Sequence, residues 1–177
     1  RSKPWFDDTL FVITADHCAA VAGKTQLPVD KYHIPLIFYA PSLLAAGTFA
    51  PMLSQIDVAP TLLDVLGRHG ADSLFGQSAF SPTLVERAFI SNYQSLGYLR
   101  EGVLTVLEPK GGVESFRVDA RTLDSTPAAV EPRLLEEAVA YYQTAAHAFK
   151  RGELRAPLTG GAAAVGEAPA TRLSRLN

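Results

Sequence analysis

The chain has few of the residues that would place it in several common protein classes. Among its 177 residues there is a single cysteine, Cys18, so no disulfide can form within the chain and the redox compartment cannot be inferred from bridges. The 16 lysines and arginines are balanced by 18 aspartates and glutamates, and no basic cluster stands out. We therefore expect no nucleic-acid partner. No apolar run approaches the roughly 20 residues that cross a bilayer.

The first residues also lack the usual features of a protein start. The sequence RSKPWFDD has no initiator Met and no charged-then-apolar leader, and an apolar run follows within ten residues. We therefore expect the chain to be the C-terminal part of a longer protein. With 47% hydrophobic and 19% charged residues, its composition is that of an ordinary globular domain.

The stretch DDTLFVITADH, residues 7–17, carries the main chemical signal. Residues 10–14 are all apolar or β-branched, which predicts a buried strand of a parallel sheet, and Asp16 and His17 follow its carboxyl end. In open α/β sheets, binding sites form at that end. An oxygen and a nitrogen donor converging at the turn suit Zn²⁺ or Mn²⁺ better than Ca²⁺. The alternative is an Asp that caps the turn beside an exposed His.

Three segments, TLFVITADH, KYHIPLIFYAPSLL and SQIDVAPTLLDVLG, occur in an order and spacing that resemble the metal-dependent sulfatase and alkaline phosphatase superfamily. Within it, the chain most resembles the branch of lipoteichoic acid synthase and the phosphoglycerol transferases, over residues 5–110. The resemblance implies an α/β enzyme of phosphoryl or sulfuryl transfer in which Asp16 and His17 hold one divalent metal, Mn²⁺ or Zn²⁺, with Mg²⁺ as a further candidate. It also implies that the Thr or Ser nucleophile and further acidic ligands lie upstream. We therefore expect no catalytic nucleophile in this chain, and no activity from the chain alone.

His33 stands just before a second apolar run, residues 34–39. In several relatives within the superfamily a His at this point ligates a metal or contacts the substrate phosphate, so the resemblance implies a substrate-binding or second-metal role for His33. A neutral imidazole ligates a metal, whereas an imidazolium only donates hydrogen bonds to an anion. The structural alternative is a half-buried His that bonds a backbone carbonyl. Cys18, next to His17, is either a thiolate ligand or, as we favour, a small packing residue.

The third segment predicts a helix that begins near Asp57, contains Pro60 in its first turn and ends at Gly67. We assign Asp57 to capping and not to metal ligation. The apolar residues expected to face the sheet are Leu62, Leu63, Val65 and Leu66.

Beyond a loop over residues 68–86, in which we interpret His69 as a surface residue, short segments rich in aromatic and β-branched residues predict an antiparallel meander. Its strands cover residues 88–92, 97–100, 103–107 and 113–118, with tight turns at Glu101-Gly102 and at residues 110–112. A polar linker, residues 123–132, leads into an amphipathic helix over residues 132–150. The apolar residues of this helix are Leu134, Leu135, Ala138, Val139, Tyr142 and Phe149.

These patterns and the resemblance together predict an α/β fold with three parts. Residues 1–86 form the C-terminal part of a sulfatase-like catalytic domain with a mainly parallel sheet of the alkaline phosphatase type. Residues 87–156 form a small antiparallel sheet and a helix that complete this domain. Residues 157–177, rich in Ala and Gly, form a disordered tail.

Two classes of function follow. The first is an enzyme that moves a phosphoglycerol or similar head group from an anionic phospholipid or glycan-type substrate through a phosphorylated hydroxyl; hydrolysis of phosphate or sulfate esters is the alternative within this class. For the enzyme, the resemblance implies a location at the cell membrane, on the extracytoplasmic (periplasmic) side, anchored by helices in the N-terminal remainder of the same protein. The second is a non-catalytic module in which the meander and the last helix bind a partner. That reading leaves the Asp16–His17 pair unexplained.

Overall fold

The computed structural model describes residues 2–17, 27–68 and 74–154. These residues form two sheets, one of two strands and one of five, together with three α-helices. The α/β class, the small antiparallel sheet and the C-terminal helix predicted from the sequence are confirmed. The predicted tail, residues 157–177, lies outside the described residues. In chain order the elements are β1 Phe11–Thr14, α1 Val29–Tyr32, β2 Leu36–Tyr39, a 3₁₀ turn Gln55–Asp57, α2 Val58–Val65, β3 Arg87–Ser91, β4 Leu96–Arg100, β5 Val103–Leu107, a 3₁₀ turn Pro109–Gly111, β6 Val113–Val118, β7 Ser125–Pro127 and α3 Pro132–Arg151.

Strands β1 and β2 form an antiparallel ribbon in which Phe11 lies opposite Tyr39 and Thr14 lies opposite Leu36. The prediction of a buried parallel strand at residues 10–14 is therefore wrong in direction and in burial, since β1 is half-buried at its start and exposed at its end. All strand pairings among the described residues are antiparallel, so the mainly parallel sheet is not seen there. An unbroken apolar run indicates a strand with apolar surroundings, but it does not encode the direction of its neighbour.

The five-stranded sheet has the simple strand order β3-β4-β5-β6-β7. Its first four strands lie within one residue of the predicted boundaries, and Glu101 and Gly102 both have positive φ, at 53° and 71°, as the predicted hairpin turn requires. The fifth strand was predicted as part of a polar linker. It is a short, exposed edge strand that ends in Pro127, and its composition hides it from pattern-based prediction.

The two faces of this sheet bury different parts of the chain. On one face, Leu99 and Leu104 pack against Leu27 and Val29 from the segment that leads into β2. On the other face, Tyr98 and Val103 pack against α3. The sheet therefore lies between its own C-terminal helix and residues 27–32, which precede His33.

Helix α3 begins and ends as predicted, with Pro132 at its start and Gly152, at φ 71°, as the left-handed residue after it. Leu134 and Ala138 are fully buried, whereas Phe149 is exposed and does not belong to the packed stripe. Within the three described ranges, no helix combines the length and the apolar character needed to cross a membrane.

Helix α2 contains Pro60 in its first turn and is followed by Gly67, at φ 65°, as the sequence predicted. Its buried residues are Thr61 and Val65. Leu66, expected to face the sheet, is exposed because the helix ends at Val65 and the chain turns away.

Candidate functional site

Asp16 and His17 lie in the turn that follows β1, at the strand end where the sequence placed them. Their side chains are 88% and 79% exposed. The backbone N–H of His17 donates a hydrogen bond of 2.9 Å to Oδ1 of Asp16, so the carboxylate is folded back towards the backbone of His17. Both side chains are thus largely exposed and lie close to each other.

The spacing of the two donor atoms fits a shared cation. Oδ1 of Asp16 and Nε2 of His17 are 3.6 Å apart. Two ligands at about 2.1 Å from a tetrahedral metal are separated by about 3.4 Å, so very little movement would bring both atoms into one coordination shell. A carboxylate oxygen combined with an imidazole nitrogen suits Zn²⁺ or Mn²⁺. The donor set present therefore fits the divalent metal that the sequence predicts, and ligation itself stays a prediction.

The pair supplies only part of a complete metal centre. In residues 2–17, 27–68 and 74–154 there is no group of three or more His, Cys, Asp or Glu side chains that could hold a metal ion. Catalytic zinc sites use three protein ligands and leave one position open. Cys18 and His69 lie outside the described residues, so their predicted roles stay untested.

His33 is placed at the same end of the ribbon as the Asp16–His17 turn. It directly follows α1, is separated from β2 by Ile34 and Pro35, and has an exposed side chain, which disagrees with the half-buried alternative. Because β1 and β2 are antiparallel, with Thr14 opposite Leu36, the end of β1 that leads to Asp16 and His17 lies beside the end of β2 that follows His33. The phenol of Tyr32, the preceding residue, donates a 2.9 Å hydrogen bond to the carbonyl of Ser91 and fixes α1 to β3.

Asp57 has a structural role, as predicted, but its main partner was missed. Its side chain is 1% exposed and forms a two-pronged ion pair with the fully buried Arg87, with N···O distances of 2.8 and 3.0 Å. The same carboxylate accepts the backbone N–H groups of Ser54 and Gln77 at 2.8 and 2.7 Å. It therefore caps the 3₁₀ turn and accepts no capping hydrogen bond from the backbone of α2. Burial alone would lower the pKa of Arg87, but the hydrogen bonds and charge of Asp57 outweigh it and raise that pKa.

A sequence signal for Arg87 does exist. In the strand RAFIS, Arg87 is in phase with Phe89, so a strand with Phe89 facing inwards also turns Arg87 inwards. A buried arginine requires a carboxylate partner, and Asp57 was the acid already assigned a structural role.

Gln55, in the first position of the 3₁₀ turn, was also missed and contacts the site directly. Its side-chain Nε2 donates to the carbonyl oxygens of Ala15 and Asp16 at 3.4 and 3.3 Å. No local pattern marks this residue, because its partners are 39 and 40 positions away in the sequence.

Comparisons with known proteins support the resemblance at the level of the superfamily. Residues 3–68 match the Sulfatase family. A crystal structure described as a protein in the alkaline phosphatase superfamily from Vibrio parahaemolyticus aligns with a TM-score of 0.80 and 27% sequence identity, over 87% of this chain and 38% of that chain. The chain thus spans well under half the length of that protein. The two matches support the alkaline phosphatase superfamily, and the region matched to the Sulfatase family contains Asp16, His17, His33 and Gln55.

Proposed function

We propose that this chain contributes part of the metal centre of an enzyme that acts on phosphate or sulfate esters. Asp16 and His17 ligate one divalent cation, Mn²⁺ or Zn²⁺. The observation that carries the proposal is the 3.6 Å separation of their donor atoms at an exposed strand end. It is supported by the match of residues 3–68 to the Sulfatase family.

A divalent cation held at such a site polarises the transferred group and lowers the pKa of the attacking hydroxyl. The residues of this chain bind and orient. Asp16 supplies the anionic ligand, and His17 supplies a neutral imidazole nitrogen in a geometry set by the turn. His33, at the same end of the ribbon, contacts the anionic group of the substrate or a second cation.

Within this class we propose transfer of a phosphoglycerol-type head group from an anionic phospholipid or glycan-type substrate, on the extracytoplasmic side of the cell membrane. The support is the sequence resemblance of the three segments around residues 9–17, 31–44 and 54–67. Hydrolysis of phosphate or sulfate esters is the alternative, because water competes with any acceptor that reaches the same centre.

The test is metal content and turnover of the protein as it occurs in its cell, with Asp16→Asn and His17→Ala as variants. We expect about one Mn²⁺ or Zn²⁺ per chain by mass spectrometry in the unaltered protein and a clear loss in each variant, since each removes one ligand. Turnover of chromogenic phosphodiester or sulfate ester should stop on chelation and return with metal. Asp124→Asn and His147→Ala, which change exposed residues elsewhere, are the matched controls. Unchanged metal content in both site variants would contradict the proposal.

A further inference from the structure

Gln55 holds the two peptide groups that flank Asp16. Its Nε2 donates to the carbonyl of Ala15, which belongs to the peptide before Asp16, and to the carbonyl of Asp16, which belongs to the peptide before His17, at 3.4 and 3.3 Å. A single amide thus bridges both sides of the residue that carries the ligand carboxylate. The side chains of Asp16 and His17 are largely exposed.

The 3₁₀ turn that carries Gln55 is anchored to the five-stranded sheet by buried and partly buried contacts. Asp57, at the other end of this turn, is anchored by the buried ion pair with Arg87. The hydroxyl of Ser54 accepts the backbone N–H of Phe89 at 3.2 Å, which ties the same turn to β3 a second time. The Gln55 side chain therefore reaches from an anchored turn to the backbone beside the exposed Asp16 side chain.

The contact with Gln55 restricts the two peptide groups beside Asp16, the proposed metal ligand. Metal binding then has less conformational freedom of this turn to remove. Fixing the backbone of a residue costs conformational entropy, and a supporting contact already present in the metal-free protein lowers that cost. Groups that orient metal ligands without touching the metal typically change affinity by about 10- to 100-fold. The two hydrogen bonds of Gln55 are long, so we expect an effect near the lower end of that range.

We propose that Gln55 is a positioning residue for the metal centre: its amide presets the Asp16–His17 turn in the conformation that binds the cation, and the Asp57–Arg87 pair anchors the turn that carries Gln55. This inference rests on the proposed function, because it concerns the same Asp16–His17 site. It adds a residue that touches neither the metal nor the substrate.

The experiment compares Gln55→Leu, which keeps the size of the side chain and removes its donor, with Gln55→Ala and with the unaltered protein as it occurs in its cell. The matched control is Gln94→Leu, at an exposed glutamine in the β3–β4 turn. The dissociation constant for Mn²⁺ is measured by calorimetry, and the melting temperature is measured on metal-free protein. We expect Mn²⁺ binding to weaken about ten-fold in both Gln55 variants, with no change in Gln94→Leu and no change in the metal-free melting temperature.

The outcomes separate this inference from the proposed function. If the unaltered protein binds no Mn²⁺ and no Zn²⁺, the metal site itself is refuted, and this inference fails with it. If the unaltered protein binds metal and both Gln55 variants bind it equally well, only the positioning role of Gln55 is overturned. If the metal-free melting temperature falls while affinity is unchanged, Gln55 is a structural residue and the inference is likewise overturned.

Discussion

At the scale of single residues, a local sequence pattern marks the candidate ligands but not the residues that pack around them. Asp16 and His17 are candidates because both follow an apolar run, which is a local signal. Arg87 and Asp57 lie 30 positions apart, and Gln55 contacts a carbonyl 40 positions away. Nothing within a short window of sequence specifies such pairs, because the fold brings them together through the packing of β3 beside the 3₁₀ turn.

Glu137 is a second residue whose surroundings were not predictable from its position on α3. Its carboxylate accepts hydrogen bonds from Tyr98 at 2.9 Å, from Arg100 at 2.6 Å and from Arg133 at 2.9 Å. Burial would raise the pKa of Glu137, but the hydrogen bonds from Tyr98 and Arg100 outweigh it, so that this pKa is lowered. Burial, followed by the bond to Glu137, raises the pKa of Tyr98 to about 12.

The lowered pKa of Glu137 predicts a pH-dependent contribution to stability. A carboxyl group whose pKa is lower in the folded protein than in the unfolded chain stabilises the fold fully at pH values above its unfolded pKa, near 4.5. This contribution is lost as the pH falls through the pKa of the folded state. We expect Glu137→Gln to lower the free energy of unfolding by about 1–2 kcal/mol near neutral pH. Hydrogen bonds to a charged group contribute on that order, and the carboxylate of Glu137 is partly exposed to solvent.

The measurement is urea unfolding of the unaltered protein and of Glu137→Gln from about pH 7 to about pH 3. The difference in unfolding free energy should be constant above pH 4.5 and should shrink below it. Glu136→Gln, one position along the helix and exposed, is the control and should differ little from the unaltered protein at any pH. A difference that stays constant down to the lowest pH would show that Glu137 contributes through its shape and not through its charge.

At the scale of elements, the strands and helices with strong local patterns were predicted to within a residue or two, and the errors concern how they pair. The four central strands of the large sheet and α3 follow alternation and helical spacing, which are properties of the element itself. The direction of β1 relative to β2 depends on the path of the connecting chain. The edge strand Ser125–Pro127 forms only because β6 offers it a free edge, so its own polar sequence gives little signal.

Gly97, in β4, shows how closely the elements approach one another. A Cβ at this position would lie 2.8 Å from Cγ1 of Ile90, 2.9 Å from Cδ1 of Leu27 and 3.1 Å from Cδ1 of Leu104. These atoms belong to the buried cluster that joins the sheet to residues 27–29. We expect Gly97→Ala to destabilise the protein by about 1–3 kcal/mol, because overpacking in a buried cluster forces neighbours away from their preferred positions.

The matched control for this substitution is Gly47→Ala. A Cβ at Gly47 would have no neighbour within 4 Å and no left-handed backbone to strain. It should leave stability unchanged or raise it slightly, by about 0.4–1 kcal/mol, through the lower entropy of the unfolded chain. Urea unfolding of both variants decides the matter. If Gly97→Ala were as stable as Gly47→Ala, the segment containing Leu27 would not pack on the sheet as described.

At the scale of the whole molecule, the five-stranded sheet supports the candidate site from a distance. Residues 27–32 pack on one of its faces and lead directly to His33, while Arg87 from its first strand anchors the turn that carries Gln55. The sequence predicted the sheet and the site as separate parts. It could not predict that one supports the other, because the residues in contact are apolar or are ordinary polar side chains without a recognisable motif.

This arrangement predicts that His33 and His17 lie close to the same cation, whereas His147 does not. The ribbon register places His17 and His33 at one end, and α3, which carries His147, packs on the face of the large sheet opposite to residues 27–29.

Mn²⁺ is paramagnetic and broadens the NMR signals of nearby protons. Titrating Mn²⁺ into the protein should therefore broaden the imidazole signals of His17 and His33 at the same low ratio of metal to protein. The imidazole signals of His147 should stay sharp at that ratio. Asp16→Asn should require much more Mn²⁺ for the same effect, because an anionic ligand has been removed. Sharp His33 signals alongside broadened His17 signals would place His33 away from the metal and would contradict this prediction.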